Sequence, residues 1–411
     1  MNPSIIANQQ RTLIALIAAL RPHFRSDRQL PSRIQDLLGR NRSFGSRDRR
    51  LYRELIYTTL RYLPLVEPWL DRAPDTAAQL IAWLAADTPA TRRFRATLRG
   101  DWPEPAATVN ERAAQLASLL HESFDPEALL PAWFRSHCPE AFAPHHLDAL
   151  LSRAPLWLRL QTRETEPVFS EFREHAWAWR RSPVLPQALE LAPDVEVARS
   201  ESYRAGRIEI QDLGSQLVLA SVGIGSGQRW LDACAGAGGK TLQLAGLVGT
   251  SGQIEASDIR TKALTELAGR AQRAKLANIR ILAAVPPAAS YDGVLIDAPC
   301  SGSGTWRRQP HLKLQTNPSD IDACAAAQRR LLGQYQRHVR AGGRLVYATC
   351  SLSPHENQGV VAAFLAVHPD FAPIAPANLF GGSFDGLGLT FLPGLHNTDG
   401  FYVAALGRRL P

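Results

Sequence analysis

A chain of 411 residues is too long for one ordinary domain, and 45% hydrophobic against 20% charged residues excludes a disordered chain. The net charge of +8 is nearly all arginine, since Lys240, Lys262, Lys275 and Lys313 are the only lysines; this excludes an acidic protein and admits a polyanion partner, although a GC-rich genome gives the same arginine excess. Five cysteines, an odd number without a CxxC pair, exclude a disulfide framework and a zinc site and fit reduced thiols.

Residues 1–150 carry helical patterns. TLIALIAALRPHF and DRRLYRELIYTTLRYLPLVEPWL place apolar residues three and four apart, and TAAQLIAWLAA and ERAAQLASLLHESF continue the period. Ser46 is the expected N-cap of the second of these helices. Residues 1–60 hold eleven arginines against four acids. Arg47, Arg49 and Arg50 crowd a helix start, where positive charge opposes the helix dipole. Helix stability therefore does not explain them, and a basic face for a nucleic acid does. Pro131 is expected to open a further short helix. From 151 to 205 the pattern shortens: PLWLRLQTR alternates like a strand, and a small α+β insert is expected. The opening MNPSIIANQQRTL has no basic region followed by a long apolar run. No stretch reaches the roughly 18 apolar residues of a membrane span. A soluble, cytoplasmic protein without a bound metal is expected, as a monomer.

From 206 to 411 strands and helices alternate. QRWLDACA, GQIEASD, NIRILAA, YDGVLIDA and GGRLVYATC are five strands, with helices between them, which predicts a doubly wound, mostly parallel sheet. LDACAGAGGKT turns from the first strand into the first helix. Gly236, Gly238 and Gly239 allow a ligand close to the backbone, with Cys234, Ala235, Ala237 and Lys240 in the same turn. Asp258, eighteen residues past Lys240, ends the second strand, where an acid can hold a ribose. A phosphate-binding loop would need glycine at Cys234, and a dinucleotide fingerprint would need it at Thr241. S-adenosylmethionine remains, beside the bland alternative of a tight turn with no ligand.

The fourth strand ends in DAPCSGSG and the fifth in ATCS. Adjacent strands lie about 4.8 Å apart, so Cys300 and Cys350 are expected to converge at the mouth where such sheets bind ligands. A lone cysteine there is more simply a small buried hydrophobe; two at neighbouring strand ends suggest chemistry. A thiolate that adds to carbon 6 of cytosine makes carbon 5 nucleophilic enough to take a methyl group. Asp297 stands where it can hydrogen-bond the base edge and, in protonated form, stabilise the adduct.

ACAGAGGKT, DAPCSGSG and ATCSLSPHEN, with IEIQDLGSQ before the first strand and TDGFYVAAL near the end, resemble the motifs of the Sun/RsmB (Fmu) family of RNA 5-methylcytosine methyltransferases in type and order. The resemblance covers essentially the whole chain. It implies S-adenosylmethionine as cofactor, Cys350 as nucleophile, Cys300 in product release, Asp297 at the base and the cofactor, and Lys240 in the shared site. LPSRIQDLLGR and SRDRRLYRELIYTTLRY resemble the NusB-like RNA-binding domain of the RsmB branch, which implies small-subunit ribosomal RNA, with transfer RNA as the alternative substrate. The family usually has an Asp after the third strand, whereas this chain reads ILAAVPPAAS, with Ala283 or Ala284 at that place. An RNA-binding assembly factor with weakened catalysis is therefore the second expectation.

Several further residues have competing readings. Arg307, Arg308 and Lys313 follow the Cys300 loop and suit phosphate contacts or a solvated loop. Trp306 suits base stacking or a core. His355 and Glu356 suit caps of the following helix, as do Asp212 and Ser215 for theirs.

Overall fold

A computed structural model describes residues 3–288 and 290–410. The chain divides into two compact units. One takes residues up to Arg153 together with Thr305–Asn317; the other takes Ala154–Gly304 and the chain from Pro318 onward.

The first unit is helical. Its helices are α1 (Pro3–Leu20), α2 (Leu30–Arg40), α3 (Ser46–Arg61), α4 (Leu63–Arg72), α5 (Pro74–Leu84), α6 (Arg92–Leu98), α7 (Val109–Leu120) and α8 (Pro144–Leu151). In α3 the expected period holds: Leu51, Tyr52, Leu55, Ile56, Thr59 and Leu60 are buried, while Arg47, Arg50 and Arg53 stay exposed. Ser46 is the first helical residue and not the cap. The Asp48 carboxylate accepts from the Gly45 N–H at 3.2 Å instead, satisfying a donor that the helix start leaves open. Pro131 precedes a short 3-10 turn, Ala132–Ser136. α7 opens on a reciprocal cap, in which the Thr108 hydroxyl accepts from Glu111 N and the Glu111 carboxylate accepts from Thr108 N.

The second unit holds two sheets. β1 (Leu156–Leu160), β2 (Trp179–Arg181), β3 (Ala188–Leu191) and β4 (Ile208–Ile210) form an antiparallel sheet in the order β2-β3-β1-β4. Its edge strand β4 lies past 205, so the insert expected over 151–205 runs further along the chain. α9 (Glu166–Glu174) and α10 (Glu201–Arg204) accompany it.

The remaining elements follow the alternation of the sequence. They are α11 (Leu213–Ala220), β5 (Arg229–Asp232), α12 (Gly239–Val248), β6 (Gln253–Ala256), α13 (Thr261–Arg273), β7 (Ile279–Ile281) and β8 (Tyr291–Asp297). After α14 (Pro310–Gln315), which belongs to the helical unit, come α15 (Pro318–Tyr335), β9 (Val339–Thr349) and α16 (Gln358–Val367). The chain ends on β10 (Phe371–Ile374), β11 (Ser383–Phe384), β12 (Leu389–Phe391) and β13 (Phe401–Arg408). The large sheet runs β11-β12-β13-β9-β8-β5-β6-β7, with β10 also paired to β13. From β9 to β7 it is parallel, and β13 is antiparallel to β9. This is a Rossmann-like α/β unit.

Both faces of that sheet are covered, so its central strands read as unbroken apolar runs. One core packs Trp230, Leu295, Val346 and Val403 with Leu217 of α11 and Leu244 of α12. It also takes in Trp157 and Ala188, which joins the small sheet to the large one. The other face buries Leu231, Val294, Leu345 and Tyr347 with Leu332 of α15 and Val360 of α16. No helix among the described residues is long and apolar enough to cross a membrane.

Candidate active site

The turn after β5 is built on left-handed backbone. Gly236 has φ 53° and Gly238 φ 92°, a region that side-chain-bearing residues rarely enter. A Cβ on Gly238 would also lie 2.3 Å from Leu267 Cδ1. The Gly236 N–H donates to Asp258 Oδ2 at 2.8 Å, so the turn and the acid at the end of β6 are brought together. Burial, which would raise the Asp258 pKa, is outweighed by hydrogen bonds from the Arg260 side chain, the Arg260 N–H and the Gly236 N–H, and the carboxyl is held below its usual value. Arg260 grips Asp258 from two nitrogens, Nε at 3.0 Å and Nη2 at 3.1 Å. The next side chain, Ile259, is fully exposed. A Cβ on Gly239 would meet nothing within 4 Å. An open helix start, an acid at the neighbouring strand end and an exposed apolar side chain suit an adenosyl group. Past β7 the chain offers Ala283 and Ala284, both exposed, and no carboxylate.

Lys240, in the first turn of α12, reaches across to Asp297 at the end of β8, with Nζ 2.9 Å from Oδ2. The ammonium is 5.0 Å from the centroid of the Phe401 ring. Below them Asp232 is buried and accepts from the Thr241 hydroxyl at 2.7 Å. Burial pushes its carboxyl up to about 7, and the charge of Asp297 adds to this. Burial likewise raises the Cys234 thiol, beside the same acids.

β8 and β9 are paired in parallel, with Asp297 opposite Ala348. Their ends therefore carry Cys300 and Cys350 to the same place, with the two sulfurs 3.3 Å apart. Both cysteines are half-buried. The contact with the Cys350 sulfur, followed by burial, raises the Cys300 thiol well above its ordinary value. The Cys300 loop then passes Gly304, whose N–H donates to Cys350 O at 2.9 Å and whose carbonyl accepts from Gly400 N at 2.8 Å. Only glycine fits there, since a Cβ on Gly304 would sit 2.2 Å from the Gly400 carbonyl oxygen.

Other expected site residues fall elsewhere. Thr305–Asn317 leaves the catalytic unit for the helical one. There Arg307 and Lys313 are buried. Arg307 donates to the Ser152 hydroxyl at 2.9 Å, and Lys313 to Arg61 O at 2.6 Å. Burial, with Arg61 nearby, lowers Lys313 to about 7. Two buried side chains engaged with protein oxygens are not phosphate contacts; Arg308 is exposed. Trp306 is core, its ring centroid 4.5 Å from that of Phe134. Arg47 and Arg50 are exposed on α3 and Arg49 is half-buried. Asp212 does cap α11, accepting from Gly214 N at 2.9 Å. Glu356 does not cap α16. It is buried against the two cysteine loops, bonded to Ser301 and Ser351, a role that its place six residues after Cys350 does not reveal. No group of three or more metal-ligating side chains occurs among the described residues.

The chain is similar to known methyltransferases. Residues 221–407 match the family model of 16S rRNA methyltransferase RsmB/F. Ribosomal RNA small subunit methyltransferase B of Xanthomonas campestris is 31% identical over 393 residues, covering 88% of this chain and 89% of that protein. Its counterpart in Xylella fastidiosa is 33% identical over 390 residues, covering 88% and 92%. Among solved structures, PH0851 superimposes with a TM-score of 0.72 at 21% identity, over 97% of this chain and 98% of that one. NSun6 from Pyrococcus horikoshii, solved with SFG, gives 0.60 at 19% identity, over 67% and 96%. The chain thus belongs to the RsmB/F family of 16S rRNA methyltransferases, and is an RNA methyltransferase with S-adenosylmethionine as its cofactor.

Proposed function

We propose that this enzyme methylates carbon 5 of a cytosine in small-subunit ribosomal RNA through a covalent adduct with Cys350. The observation that carries the reading is the meeting of Cys300 and Cys350, 3.3 Å apart, at the ends of neighbouring strands. The curated relatives' names support ribosomal RNA over transfer RNA.

S-adenosylmethionine, when bound, supplies an electrophilic methyl group. The turn Cys234–Lys240 and Asp258 would hold it, and Asp297 would stand between cofactor and base. The Cys350 thiolate adds to carbon 6, forming an S–C bond and moving the ring's π pair toward carbon 5. Asp297, beside Lys240, hydrogen-bonds the base edge and, in protonated form, stabilises the pair displaced into the ring. Once carbon 5 carries the methyl group, a base must take its proton, leaving the C–H pair to re-form the C5–C6 double bond. The C6–S bond then breaks and returns the pair to Cys350. Cys300, beside the departing sulfur, serves this release.

The cysteine variants test the division of labour. Cys350→Ala should abolish methylation and give no adduct. Cys300→Ala should still attack and transfer, then stall, so a denaturing gel shows protein crosslinked to RNA. The reverse pattern exchanges the roles. Methylation retained without adduct in both variants rejects thiol addition.

A second reading, an assembly factor with weakened catalysis, is favoured by two observations: no acid stands at Ala283 or Ala284, and Arg260 occupies Asp258. Calorimetry with S-adenosylmethionine separates the two, because only the enzyme binds it in a useful range.

A further inference from the structure

The covalent reading leaves unused a buried carboxylate bonded to the residues that follow both cysteines. Glu356 is buried without solvent contact. Its Oε1 accepts from the Ser301 N–H at 2.8 Å and from Gln328 Nε2 at 3.1 Å. Its Oε2 accepts from the hydroxyls of Ser301 and Ser351, each at 2.5 Å. Ser301 follows Cys300, and Ser351 follows Cys350. One carboxylate therefore ties together the residues next to both cysteines.

The tie is braced on each side. The Ser301 and Ser351 hydroxyls are 3.2 Å apart, as are those of Ser303 and Ser351. Leu352 N donates to the Ser303 hydroxyl at 2.8 Å. The Tyr347 hydroxyl donates to the carbonyl of Glu356 itself at 2.5 Å. All four donors to the carboxylate are neutral. Burying a carboxyl group is costly unless hydrogen bonds satisfy its oxygens. A fold that needed only a loop brace would meet the same need with an amide or a hydroxyl. A carboxylate, by contrast, offers two oxygens and up to four acceptor sites in one plane, and can hold two loops at once.

We propose that Glu356 is the positioning residue of the cysteine pair: by holding Ser301 and Ser351 on one carboxylate, it fixes the Cys300 sulfur against the Cys350 sulfur in the arrangement that adduct formation and release require. The proposal rests on the covalent reading above for its catalytic consequence, but the sulfur placement itself is measurable without RNA.

Two measurements on the full-length protein test it. The first is the equilibrium of the Cys300–Cys350 pair in glutathione buffers. Oxidised glutathione takes two electrons from the two thiols, giving one protein disulfide and two reduced glutathiones. Peptide mapping then reports the fraction closed. Glu356→Ala should lower the closing equilibrium constant at least about tenfold, about 30 mV for this two-electron couple. Glu356→Gln keeps an acceptor and should recover part of the loss. The second measurement is steady-state methylation of unmodified small-subunit RNA. Glu356→Ala should lower kcat about 100-fold, the scale of a one-ångström misplacement, with KM for S-adenosylmethionine within about twofold. Glu356→Gln should again lie between.

A folded Glu356→Ala whose disulfide equilibrium equals that of the wild type overturns the proposal. If Glu356→Ala does not fold, Ser301→Ala and Ser351→Ala each remove one tether and should each shift the equilibrium about threefold or more. No shift in either overturns it equally. A shifted equilibrium in a protein whose wild type forms no RNA adduct leaves the positioning role standing and rejects the covalent reading instead.

Discussion

Asp232 ends β5 without solvent contact, and its folded-state pKa lies at about 7 against 3.8 for the free side chain. Below about pH 4 both folded and unfolded chains hold the proton. Between about pH 4 and pH 7 only the folded state holds it. The folded state binds more protons there, so stability falls as pH rises through that window. Asp232→Asn cannot ionise and should flatten this slope, visible as a urea midpoint that changes less with pH than in the wild type. An unchanged slope would mean that Asp232 is ionised throughout. The residues of the candidate site differed in how far the sequence revealed them. Gly236, Lys240, Asp258, Asp297, Cys300 and Cys350 stand in short runs whose spacing carries their chemistry, and the fold brings them together in three contacts: Gly236 with Asp258, Lys240 with Asp297, and Cys300 with Cys350. Glu356 stands in the same run as Cys350, but its spacing there suggests only a cap for the following helix. Its partner Ser301 is 55 residues away, and only the β8–β9 pairing makes them neighbours.

Among the elements, α3 carries an exposed basic face. Its buried stripe fixes its orientation, and that leaves Arg47, Arg50 and Arg53 facing water. Asp48, the acid of the first turn, is engaged with the Gly45 N–H. We propose that this face contacts RNA phosphates. Replacing Arg47, Arg49 and Arg50 by Ala should weaken RNA binding and make the plot of log affinity against log salt shallower by about two to three, each phosphate contact contributing about 0.7–0.9. Equal affinities at every salt concentration would make the cluster a compositional accident. The elements themselves were legible wherever one period ran long enough. The five parallel strands and their helices follow the alternation, and the central strands, buried on both faces, carry apolar runs such as 294–296 and 345–348. The small sheet was harder to delimit. β2 and β4 have three residues each, too few to show a period, and β4 pairs with β1 across nearly fifty residues of intervening chain.

At the scale of the whole molecule, the helical unit is not a continuous piece of chain. Thr305–Asn317 supplies it with Trp306, packed on Phe134, and with Gln315, whose amide donates to the carbonyls of Phe24 and Asp27. Three basic residues after a catalytic loop suggested solvent-facing phosphate contacts. Burial reverses that reading for Arg307 and Lys313, and no local pattern of three charges distinguishes the two cases. A protein ending at Arg153 lacks this segment, and the loss of one buried tryptophan alone costs roughly 3–5 kcal/mol. Such a fragment should melt at lower temperature or lose a cooperative transition. A peptide of residues 305–317 added in trans should restore it, as followed by circular dichroism. A fragment as stable as the same unit in the full chain would show that the segment is dispensable.

The discontinuity also orders events during synthesis. A domain at the start of a chain ordinarily folds as soon as it has emerged, well before the next is made. Here the first helices leave the ribosome with an unfilled site, and the segment that fills it follows only after β5 to β8 have been translated. At about 5–20 residues per second the interval between Arg153 and Asn317 is on the order of ten to thirty seconds. For that time Phe134 and the Arg61 carbonyl await their partners, so the helical unit stays incomplete until the catalytic unit is more than half made.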